Sequence, residues 1–107
     1  MYKLLIVEDE KGTREGLVDC IDWNNYGIEL VASSRNGKEA LKYIKNNPVD
    51  IVLTDVVMPV VDGIELIQEI RAGQYDIKPI IISGHGDIPY LKSAFKLDAI
   101  DYIFKPV

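Results

Sequence analysis

Short apolar runs separated by longer amphipathic stretches constrain this chain more than any other feature. The runs are Lys3–Val7, Ile28–Ala32, Ile51–Thr54, Pro79–Ile82 and Tyr102–Phe104. They are rich in Ile, Val and Leu, and they are mostly continuous. A strand with one wet face alternates apolar and polar residues, whereas a strand buried on both faces does not. The runs therefore predict a parallel sheet covered on both sides.

The stretches between them read as helices. Leu17, Cys20 and Ile21 give the first a buried stripe, although Gly12 and Gly16 weaken it. Cys20 is expected to sit in that stripe as a small hydrophobe rather than as a reactive thiol. Asn36-Gly37-Lys38-Glu39 resembles a capping box ahead of Ala40, Leu41 and Ile44, and Pro48 should stop that helix. Asp62-Gly63-Ile64-Glu65 is a second box, ahead of Leu66, Ile67 and Ile70, with Gly73 at the end. Asp87 is placed to cap a fourth helix. Asp22–Gly27 reads as a loop that Trp23 and Tyr26 pack down. The β-α alternation predicts an open parallel sheet with helices on both faces, in a single domain spanning 1–107.

Composition removes several function classes. The net charge of −5 argues against nucleic-acid binding by this domain, which would need a basic face. One cysteine and one histidine make no disulfide and no zinc site. No apolar run approaches the ~18 residues needed to cross a bilayer. Glu8, Asp9 and Glu10 interrupt the only candidate signal sequence, so the expected location is cytoplasmic, with no membrane partner.

Open parallel sheets bind ligands beyond the carboxyl ends of their strands. At those ends stand Glu8 and Asp9, then Asp55, then Ser83, then Lys105. Three carboxylates, a hydroxyl and an ammonium should converge on one edge. Crowded carboxylates repel, and a divalent cation such as Mg²⁺ relieves the conflict while leaving positions open for phosphate oxygens. Asp55 follows the buried run directly, which makes it the candidate nucleophile for an acyl phosphate, with Lys105 and Ser83 facing the new phosphate.

Taken together, Val7-Glu8-Asp9-Glu10, Thr54-Asp55-Val56-Val57-Met58-Pro59, Asp62-Gly63, Ile82-Ser83-Gly84 and Tyr102-Ile103-Phe104-Lys105-Pro106 resemble the receiver domain of two-component response regulators. The resemblance covers nearly the whole chain. It implies a flavodoxin-like sheet of order 2-1-3-4-5. It implies that Asp55 takes phosphate from a histidine kinase, and that Asp9, Asp55 and the backbone carbonyl of Val57 bind Mg²⁺, with Glu8 acting through water. Lys105 and Ser83 would contact the phosphate, and a cis bond would precede Pro106. Ser83 and Tyr102 would be the switch pair. Such a domain phosphorylates itself from a donor but serves as a signalling switch, not as a conventional enzyme. Asp22-Trp23, Asn36–Leu41, Ser83-Gly84 and the ending Lys105-Pro106-Val107 further resemble receivers joined to AraC-type DNA-binding domains, which implies a transcriptional output domain outside this chain.

Some positions depart from the family pattern. Glu8 replaces the more frequent Asp, and Asp98 stands where Gly is common. Gly84-His85-Gly86 makes a flexible loop after Ser83, and Val57 and His85 flank the phosphate site, where they should tune its lifetime. Receivers normally continue into a fifth helix, whereas this chain ends at Val107, so a truncated domain and a tendency to homodimerise are expected. Two other classes share the architecture. A haloacid-dehalogenase-type phosphatase would want a second Asp where Val57 stands. A nucleotide- or flavin-binding module would want a Gly-rich turn where Glu8-Asp9-Glu10 stands. A receiver that has lost phosphorylation is the remaining alternative, against which the full set of acids, Ser83 and Lys105 speaks.

Overall fold

Every apolar run forms a strand, longer than its run by a residue or two. β1 is Tyr2–Val7, β2 Ile28–Ser34, β3 Ile51–Asp55, β4 Lys78–Ser83 and β5 Asp101–Phe104. The computed structural model describes residues 1–55, 63–83 and 101–104, with 63, 64, 82, 83 and 101–104 described by their backbone alone. The strands pair in parallel in the order β2-β1-β3-β4-β5, as expected. Three helices are described: α1 Lys11–Asp19, α2 Gly37–Asn46 and α3 Gly63–Ala72. The fourth helix expected after Asp87 and the cap expected at Asp62 lie outside the described residues. No helix among the described residues is long and apolar enough to cross a membrane.

The pleat sorts the strand residues into two cores. Leu5, Val7 and Val52 face Ala40 and Ile44 of α2 and Leu66 and Ile70 of α3. Leu4, Ile6 and Leu53 face Leu17 of α1, with Trp23, Ile28, Leu30 and Ile80 around them. Residues four to seven of β1 are all buried, which is why that run could not alternate. A register shift between Leu4 and Leu5 leaves Val31 as an extra residue in β2. Leu30 therefore packs with the α1 core while Ala32 packs with the α2–α3 core. A bulge of this kind re-aims the side chains that follow it.

Local chemistry sets the helix ends. Asn36 Oδ1 accepts from the Glu39 amide at 2.8 Å, which is one half of the expected capping box. In place of the other half, the Glu39 carboxylate accepts from Arg35 Nε at 3.1 Å. After α3, the Tyr75 amide reaches Ile70 O and the Gln74 amide reaches Arg71 O. That pair of bonds is a Schellman ending, and its left-handed residue is Gln74, at φ 58°. Gly73 is required for a different reason: a methyl group there would run into the ring of Tyr75.

Two expectations on the α1 side are corrected. Cys20 is exposed. Helix α1 ends at Asp19, and Cys20 is its C-cap, with its amide still donating to Gly16 O at 2.9 Å. The segment 22–27 contains a short 3-10 turn, Trp23–Tyr26. Its Trp23 does pack inward, and Nε1 donates to Leu17 O at 2.9 Å. Tyr26 remains 73% exposed.

Candidate metal centre

The chain runs from β1 outward to β2 on one side and from β3 to β5 on the other, so the strand order reverses between β1 and β3. A crevice opens beyond the carboxyl ends of two strands that part company in this way. Val7 is level with Thr54 in the ladder, so Glu8 and Asp55 leave the sheet side by side. The Glu8 amide still donates to Ser34 O of β2 at 3.0 Å. Thr54 Oγ1 donates to the Asp55 carbonyl at 2.9 Å, which satisfies the last carbonyl of β3 within its own strand. Both acids thus stand on anchored backbone.

One carboxylate oxygen each from Glu8, Asp9 and Asp55 lies within 4.8 Å of the others. Glu8 is 0% exposed and Asp55 is 4% exposed, while Asp9 opens to solvent. Two buried carboxylates at such a separation repel by roughly 3–4 kcal/mol at an effective dielectric of about 20. A divalent cation converts that repulsion into attraction. The donors are all hard carboxylate oxygens, a set that suits Mg²⁺, Ca²⁺ or Mn²⁺ rather than a soft thiophilic metal. One exposed and two buried ligands also leave a side open to solvent and to a further oxygen ligand. The residues present therefore fit a hard divalent ion.

The turn that carries these acids is tied to α1. Arg14 Nη1 donates to the Glu8 carbonyl at 2.9 Å. The Glu10 amide points to Glu8 Oε2 at 3.4 Å, and Thr13 Oγ1 donates to Glu10 Oε1 at 3.0 Å. Sequence reasoning did not single out Arg14. Nothing in its residue type marks it; only the fold brings a helix residue back over the strand end six positions earlier.

The other expected site residues are placed less fully. Ser83 ends β4 and is level with Phe104 of β5, so the backbone of both strands reaches the same edge as Asp55. Tyr102 is level with Ile81. Val57, His85, Lys105 and Pro106 lie outside the described residues, as does Asp98.

Comparison with known proteins agrees with this architecture. The family description "Response regulator receiver domain" matches residues 4–107. The uncharacterized transcriptional regulatory protein YesN of Bacillus subtilis is 38% identical over 106 residues, covering 99% of this chain and 29% of YesN. The transcriptional regulatory protein HptR of Staphylococcus aureus is 35% identical over 107 residues, covering the whole of this chain and 42% of HptR. The chain thus spans less than half the length of these relatives. Among solved structures, the receiver domain of AraT, a response regulator from Geobacillus stearothermophilus, superposes with a TM-score of 0.91 at 36% identity, covering 99% of this chain and 82% of that one. A two-component transcriptional regulator AraC from Clostridium phytofermentans superposes at 0.89 with 39% identity, covering 100% and 83%. With a family match over nearly its full length and a switch-point edge lined by acids, the chain belongs to the response regulator receiver domain family.

Proposed function

We propose that Asp55 accepts a phosphoryl group from the phosphohistidine of a histidine kinase. The observation that carries this reading is the placing of Asp55: 4% exposed, at the end of a central strand, with the carboxylates of Glu8 and Asp9 turned toward it. A carboxylate oxygen of Asp55 attacks phosphorus, the new O–P bond forms, the P–N bond to the kinase imidazole breaks, and the imidazole leaves with a proton from solvent. The strand ladder holds the Asp55 backbone still, and burial limits the contact of bulk water with its carboxylate.

Mg²⁺ would be held by Asp9, Asp55 and the carbonyl of Val57, with Glu8 acting through water. When bound, it neutralises charge on the acids and on the phosphoryl oxygens. Lys105 and Ser83 contact the phosphate, with a cis bond before Pro106. Ser83 and Tyr102 then shift together, and the difference between their two arrangements carries the signal. The reading takes residues 1–107 as a receiver domain that acts in the cytoplasm and can pair with a second copy.

The output is a DNA-binding transcription domain elsewhere in the parent protein. Support for this comes from relatives that are transcriptional regulators and of which this chain spans 29% and 42%. The test is intact mass after incubation with Mg²⁺ and acetyl phosphate. Wild type should gain one phosphoryl group and Asp55→Asn none. No gain on folded wild type refutes the mechanism, and equal gain on Asp55→Asn moves the acceptor elsewhere.

A further inference from the structure

The geometry points to Arg14 as a positioning residue for the metal-binding acids, acting through the peptide between Glu8 and Asp9; this rests on the reading of those acids given above. Glu8 and Asp9 are consecutive, so ψ of Glu8 and φ of Asp9, the angles on either side of the peptide joining them, relate the positions of the two carboxylates. That peptide lies just past β1, where the ladder gives out. On its strand side, the Glu8 amide is held by Ser34 O at 3.0 Å. Its carbonyl is held by Arg14 Nη1 at 2.9 Å, in a partly buried contact. Arg14 is itself fixed at the start of α1, where its amide donates to Glu10 O at 2.9 Å. The guanidinium thus closes a loop from Glu8 to α1 and back. Loss of that bond frees ψ of Glu8 and φ of Asp9, and any net change in those two angles shifts one carboxylate relative to the other and to Asp55.

A second role follows from charge alone, and it has the opposite sign. A permanent cation beside acids competes with a metal for them, so its removal would tighten metal binding. Positioning predicts that its removal weakens binding. The two accounts therefore separate on the direction of one measurement.

The test is a Mn²⁺ titration of the metal-free chain, with free Mn²⁺ read by electron paramagnetic resonance, on wild type, Arg14→Met and Arg14→Lys. Residues that orient a metal's ligands change affinity by about 10- to 100-fold when removed, and about tenfold weaker Mn²⁺ binding is expected for Arg14→Met. Arg14→Lys keeps a charged donor and should recover part of that loss. Labelling by acetyl phosphate should slow for Arg14→Met at low Mg²⁺ and return to the wild-type rate at saturating Mg²⁺. Unchanged or tighter Mn²⁺ binding in Arg14→Met overturns the proposal. So does slow labelling that saturating Mg²⁺ fails to restore, with an equal fall in metal-free stability for both variants, because that pattern marks a merely structural residue. Wild type that binds Mn²⁺ but takes no phosphoryl group would refute the phosphoacceptor reading and leave the role of Arg14 to stand on the titration.

Discussion

Asp50 comes immediately before β3 and Asp55 ends it, five residues later. Asp50 is a strut. Its carboxylate accepts from the Lys3 amide at 2.8 Å, its own amide donates to Lys3 O at 2.8 Å, and its carbonyl accepts from the Lys78 amide at 2.9 Å. One residue thereby ties the starts of β1, β3 and β4. Asp55 at the other end faces the carboxylates of Glu8 and Asp9. Two residues of one type, at the two ends of one strand, stand in different settings: backbone donors meet the first, and the carboxylates of Glu8 and Asp9 face the second. Amide donors hold a carboxylate for the sake of the fold, while acidic neighbours make it costly until a cation or a phosphoryl group arrives.

Substitution at each end should give opposite results. Asp55→Asn should abolish phosphoryl labelling in the intact mass assay while the metal-free protein stays folded. The same change should remove most of the Mg²⁺ stabilisation of wild type, about 1.4 kcal/mol at tenfold excess over the dissociation constant, measured by thermal melts with and without the ion. Asp50→Ala should do the reverse. Leaving the Lys3 amide without its acceptor should cost about 1–3 kcal/mol in urea unfolding, with labelling intact at temperatures where the chain is folded. If Asp50→Ala lost labelling while remaining folded, the division between the two ends would be wrong.

Smaller effects test features away from the comparison. Gln74→Gly relieves a left-handed backbone and should stabilise by about 0.5–1 kcal/mol, whereas Gly73→Ala next to it should destabilise through the Tyr75 ring. Arg35→Ala breaks an exposed pair with Glu39 and should change the unfolding free energy by no more than about 0.5 kcal/mol.

How much of this was legible beforehand depended on whether a feature is local. The strands were legible because burial on both faces writes itself as a continuous run, and each boundary fell within two residues. The acid cluster was legible because strand ends in a parallel sheet share an edge, so Glu8, Asp9 and Asp55 could be brought together without any angle being known. Features that depend on tertiary register were not legible. Nothing in Val31 marks it as the extra residue of a bulge. Gly73 was correctly set at the end of α3, but the left-handed position is Gln74, one residue further on. Cys20 keeps helical spacing to Leu17 yet is exposed, at the C-cap of α1. Asp50 was not singled out, since its partners are amides on strands far away in the chain.

The bond from Trp23 to Leu17 has a practical consequence. Trp23 is the only tryptophan of the chain, so all indole emission comes from one half-buried ring anchored to the same helix that carries Arg14. Its wavelength and intensity report the seating of α1 on the sheet without any added label. A metal titration followed in that channel would show whether occupancy at one end of α1 is felt at the other.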